Sequence, residues 1–149
     1  MPDIGASAIM GIAPEVTPGT YVAPAKFFPF ESETLNYTQD TTWRRPIRNS
    51  PGLVGAILGN AHTEGDINME LLTDVVVYFM KASRCTLVKT GAGPYVYTYT
   101  PAPLAVPVNT VSISVKRGQE VFGYTGCILA GFTITVDSSG ALKFNPKIV

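Results

Sequence analysis

Three stretches of this chain alternate apolar and polar residues with a period of two. Gly65 to Leu72 sets Ile67, Met69 and Leu71 against Asp66, Asn68 and Glu70. A second stretch sets Val111, Ile113 and Val115 against Ser112, Ser114 and Lys116. A third sets Phe132, Ile134 and Val136 against Thr133, Thr135 and Asp137. Side chains on a β-strand point alternately to the two faces of its sheet, so each stretch predicts a strand with one face in a core and the other polar. The segments CTLVKT, YVYTYT and ALKFNPKIV are β-prone as well, with turns at Gly91–Pro94 and at Asp137–Gly140. One segment follows the helical period instead. In TDVVVYFMKASR, Val75, Val76, Phe79 and Met80 fall on one helical face, and Thr73 or Asp74 is placed to cap the first turn. The expectation is a mainly β domain with a single short helix near residues 73–83.

Two segments carry no clear period. Residues 1–25 hold prolines at 2, 14, 18 and 24 and read as an extended N-terminal arm, with Phe27, Phe28 and Phe30 anchoring it. Residues 39–64 are broken by Pro46, Pro51, Gly52, Gly55 and Gly59 and read as a long loop, of the kind that reaches a partner. No linker or repeat divides the 149 residues, which suits one domain spanning 1–149. Only 15% of the residues are charged, against roughly 25% in an average soluble protein, which suggests that partners cover part of the surface. The net charge is zero, so electrostatics offers no general affinity for nucleic acid or an anionic membrane and no strong self-repulsion. Cys85 and Cys127 fit no zinc motif and read most simply as free buried thiols, with a single bridge left open. The start of the chain lacks a basic segment followed by an apolar core, and no apolar run approaches a membrane span.

The residues of catalysis are not arranged for it. His62 is the only histidine and sits in a Gly-rich stretch, where a polar loop residue is the plainer reading than a general base. Asp66 and Glu70 are too far apart along a strand to share a proton. Gly91-Ala92-Gly93 precedes Pro94 and a strand rather than a helix, so it cannot present a helix N-terminus to phosphate. Neither a catalytic residue nor a metal or cofactor ligand is assigned. Arg44, Arg45 and Arg48 beside Trp43 form the one basic cluster. Stacking on nucleic-acid bases, contact with a neighbouring subunit and a plain solvated loop all fit it. Zero net charge favours the subunit contact.

Taken in order, several segments resemble the tail tube, or major tail protein, family of long-tailed bacteriophages. GIAPEVTPGTYVAPAKFFPFESETL is similar to the family's opening, where a Gly/Thr/Pro arm leads into a K-F-x-P-F-x-S-E-x-L run. The Arg-rich break at Trp43 to Arg48 resembles the segment before its long loop. EGDINMEL resembles the strand before its helix, YVYTYTP a later strand, and SISVKRGQEVFGYTGCILAGFTITVDSSG its late hairpin. The resemblance implies a β-sandwich or barrel-like core with one flanking helix. It implies a structural virion protein rather than an enzyme, made in the host cytoplasm. Its subunits would form rings, usually hexameric, stacked between a tail initiator and a terminator into a hollow tube for genomic DNA. A tail terminator or head decoration protein is the alternative. Within that frame Trp43, Arg44, Arg45 and Arg48 are expected at an inter-subunit interface. The polar strand faces, Asp66, Asn68, Glu70, Ser112, Ser114, Thr133, Thr135 and Asp137, are expected to line the lumen, where short acidic and hydroxyl groups would wet the wall without gripping phosphates. An ordinary solvated sheet face would alternate in the same way.

Overall fold

The computed structural model describes residues 8–44, 55–103, 108–136, 138 and 140–149. In chain order the elements are β1 (Ile9–Pro14), β2 (Lys26–Phe28), β3 (Ser32–Glu33), β4 (Asn36–Arg44), β5 (Gly55–Glu70), α1 (Thr73–Lys81), β6 (Cys85–Thr90), β7 (Val96–Pro101), β8 (Val111–Arg117), β9 (Glu120–Cys127), β10 (Leu129–Val136) and β11 (Leu142–Ile148). The fold is mainly β, with one short helix among the described residues, as the alternating and helical periods predict. One sheet has the order β2-β1-β8-β9. The second runs β10-β11-β5-β3, with β4 pairing the outer half of β5, and β6 with β7 forms a separate hairpin.

Both sheets turn apolar faces into one core. Met10, Ile12, Phe28, Val111, Ile113 and Val115 come from the first sheet, and Ile67, Met69, Phe144 and Ile148 from the second. The helix lies against both. Phe79 meets the Phe28 ring edge-on at 5.8 Å and the Phe144 ring at 5.9 Å, so one helical side chain ties the sheets together. The predicted helical face is the one used: Val75 and Phe79 are buried, and Val76 and Met80 pack against the core. The cap differs from expectation. Leu72 is the N-cap, without a side-chain hydrogen bond, and its carbonyl accepts from the amides of Val75 and Val76. Asp74 instead ion-pairs with Lys26. At the far edge, Arg117 donates from Nε (2.7 Å) and Nη2 (2.8 Å) to the Glu33 carboxylate, and from Nη2 to the Leu35 carbonyl, joining β8 to β3.

Four further expectations are corrected. Residues 9–14 are not part of an arm. They form β1, between β2 and β8, with Met10, Gly11, Ile12 and Ala13 buried. A strand covered on both faces does not alternate, and Gly11 and Pro14 made this one resemble a connector. Pro14 ends the strand, where a missing N–H is tolerated. Residues 39–64 are not a loop throughout. β4 and the first ten residues of β5 pair from Asn36↔Glu64 to Arg44↔Gly55 as a two-stranded ribbon. Every residue of it is exposed or half-buried, so no apolar face declared it. Third, Phe132, Ile134 and Val136 point to the core side of their sheet, opposite Pro146, Phe144 and Leu142, yet they are 47%, 47% and 68% exposed. Their strand, β10, lies at the sheet edge, beyond the reach of the covering elements. Finally, the polar face of β8 is not solvated: Ser112 and Ser114 are 2% and 5% exposed.

Candidate functional site

The cover over Ser112 and Ser114 is the connection between β1 and β2, residues 15–25, folded back across the outer face of the first sheet. Small residues make room for it. A side chain at Gly11 would strike Pro24 at 2.6 Å, and one at Gly123 would strike the Tyr21 ring at 2.9 Å. The Tyr21 hydroxyl hydrogen-bonds the Ser114 hydroxyl at 2.7 Å, and the Val22 amide donates to the Ser112 Oγ at 3.1 Å. Glu15 anchors the connection at its start. Its carboxylate accepts from the Gly19 amide, the Thr110 hydroxyl, the Ser112 hydroxyl and the Gly126 amide, at 2.6–2.8 Å. The Gly126 donor exists because β9 bulges there: Thr125 and Gly126 together oppose Ser112, and Gly126 takes φ +69°. Partial burial pushes the Glu15 carboxyl up, but the four hydrogen bonds outweigh it and hold the group below its ordinary value of 4.5. Beside it the Cys127 thiol is pushed up to about 12, chiefly by burial and secondly by the Glu15 charge. Ser112 and Ser114 are therefore internal ligands of this connection, which removes them from any wall facing a channel in this conformation.

The other expected wall residues fare differently. Asp66, Asn68, Thr133 and Thr135, with Glu70, lie on the outward face of the second sheet, which places β5 and β10 on either side of β11. That central strand contributes two bases that sequence reading did not count. Lys143 stands between Thr135 and Glu70, and Lys147 between Gly131 and Asp66. Lys143 Nζ donates to the Glu31 carboxylate at 2.9 Å, and the Asn68 amide donates to the Ser32 hydroxyl at 2.7 Å. The face is thus a polar ladder in which each lysine sits across from a carboxylate. The signal was present in KFNPK, where Lys143, Asn145 and Lys147 alternate with Phe144 and Pro146. Asp137 lies outside the described residues.

This sheet has two unpaired edges among the described residues, β10 on one side and β3 with β4 on the other. The β4–β5 ribbon projects from the second edge. Trp43 and Arg44, opposite Ala56 and Gly55, stand at its far end and are exposed; Arg45 and Arg48 lie outside the described residues. His62 is opposite Thr38 on the same ribbon. Among the described residues no group of three or more His, Cys, Asp or Glu side chains is placed to hold a metal ion, and no helix is long and apolar enough to cross a membrane. What the arrangement offers is contact surface: a polar sheet face, two free sheet edges and an unsupported ribbon.

Comparison with known proteins agrees with that inventory. Among curated proteins nothing matches the chain. A family model described as phage tail tube protein matches residues 5–147, nearly its whole length, and the chain therefore belongs to the phage tail tube protein family.

Proposed function

We propose that this structural tail protein polymerises as closed rings, six subunits to a ring, stacked into the tube of the phage tail and lying between an initiator and a terminator protein. DNA passes through without specific binding. The observation that carries the reading is the second sheet. It bears a polar outward face and, among the described residues, ends in two unpaired edges, so β10 of one copy can add to the β3–β4 edge of the next and extend one sheet around a ring. Such closure also explains the exposed Phe132, Ile134 and Val136, which a neighbour's side chains would cover. The polar face, with Asp66, Asn68, Glu70, Thr133 and Thr135, then forms the wall of the channel. Its lysines do not argue against that role. Lys143 and Lys147 each face a carboxylate, which competes with passing phosphates for the ammonium group. Trp43 and Arg44 at the ribbon tip, with Arg45 and Arg48, reach an adjoining subunit. The test is negative-stain microscopy of concentrated protein beside the Ile134→Arg variant. Hollow tubes from the native protein and none from the variant support the reading; rings or tubes formed equally by both count against edge addition.

A further inference from the structure

The charges of this neutral chain are not evenly spread. Lys81, Arg84 and Lys89 gather where α1 meets the β6–β7 hairpin, and none has a carboxylate partner among the described residues. Lys81 Nζ instead lies 5.5 Å from the centre of the Tyr78 ring, and Lys89 Nζ lies 3.6 Å from that of Tyr95. Between helix and hairpin runs an open groove of about 850 Å³, floored by Val77 and Leu87 and walled by the tyrosines and lysines. Lys26 and Asp74 in its lining neutralise each other, which leaves Lys81 and Lys89 as its net charge. Among the described residues the hairpin has no third strand, and Val88, Tyr95 and Val96 are exposed on it. Two-stranded hairpins alone are marginal in water, so this one gains from a cover.

The opposite charge stands on the β4–β5 ribbon. Asp40 and Glu64 are exposed on its stem without a basic partner among the described residues, accompanied by exposed Tyr37, Ile57 and Leu58. It too is two-stranded, and its nine-residue β4 is about 30 Å long at ~3.3 Å per residue, enough to cross a neighbouring subunit. We propose that the groove between α1 and β6–β7 is the seat for the β4–β5 ribbon of a second copy, with Lys81 and Lys89 facing Asp40 and Glu64. The inference rests on the assembly reading above and adds the ribbon's docking address. Because the two patches differ, the contact is heterologous and repeats from copy to copy, as a polymer requires.

Charge reversal and its compensation test this on the full chain. Lys89, Asp40 and Glu64 are exposed and Lys81 is half-buried at the end of α1, but none of the four belongs to the core cluster. The K81E/K89E and D40K/E64K variants should therefore keep the native circular dichroism spectrum. Each is expected to raise the concentration needed for tube formation about tenfold, and the combined four-fold variant to return it to within about threefold of native, because opposed like charges become paired again. Tubes formed by K81E/K89E as readily as by native protein overturn this inference alone, as does failure of the combined variant to recover. If K81E/K89E blocks tubes while D40K/E64K does not, the groove takes some other acidic segment and the ribbon is the wrong occupant. Native protein that never polymerises overturns both this inference and the assembly reading beneath it.

Discussion

Glu15 shows how much one side chain organises here. Four donors converge on its carboxylate, two of them backbone amides that would otherwise be left unpaired at a turn and a bulge. A carboxylate held below its ordinary value contributes stability that is present above pH 4.5 and is lost as the pH falls through the depressed folded value. Glu15→Gln should therefore lower stability near pH 7 by about 1–2 kcal/mol, the scale of hydrogen bonds to a half-exposed charged group. The difference from native protein should shrink as both are titrated below pH 4.5, which urea unfolding at a series of pH values will show. An undiminished gap in acid would mean that the carboxylate charge is not what matters. The two thiols give a second check at this scale. Cys85 is half-buried and Cys127 is buried with its thiol pushed up to about 12, so iodoacetamide at pH 8 should label Cys85 in the folded protein and Cys127 only after unfolding.

At the scale of elements, legibility followed solvent contrast. The strand at Gly65 to Leu72 and the helix were readable because each has one wet and one dry face. β1 was missed because it has two dry faces, the second supplied by residues 15–25, whose packing on Gly11 and Gly123 no local pattern announces. The ribbon was missed for the converse reason, having no dry face in the subunit. β8 alternates perfectly and still misled, since its serines are wrapped by a distant part of the same chain rather than by water. In β10 the apolar face was read correctly and its burial was not, which is what an edge strand awaiting a neighbour looks like. Deleting residues 40–62 removes the ribbon and leaves the core cluster untouched. The shortened protein should stay folded by circular dichroism and remain monomeric by size exclusion. Normal tubes from it would refute the ribbon's part in assembly.

For the whole molecule, low charge, zero net charge and a long exposed apolar edge are liabilities in a solitary protein and assets in a polymer. The family match accounts for their coexistence with a well-packed core. The outward face of the second sheet, proposed above as the channel wall, is where the sequence was least informative. Lys143 and Lys147 entered the polar face from a strand whose polar positions had not been counted, and only the pairing of β11 with β5 reveals their carboxylate neighbours. Changing Asp66 and Glu70 to Lys should leave assembly intact and slow DNA ejection, because the wall would then hold lysines with no carboxylate opposite. The most direct measurement is an electron cryo-microscopy map of the assembled protein. The expected result is a hollow tube in which β10 of each subunit runs beside the β3–β4 edge of its neighbour, with Asp66, Glu70, Thr133 and Thr135 facing the channel. A tube with these side chains on its outer wall, or buried between rings, would contradict it.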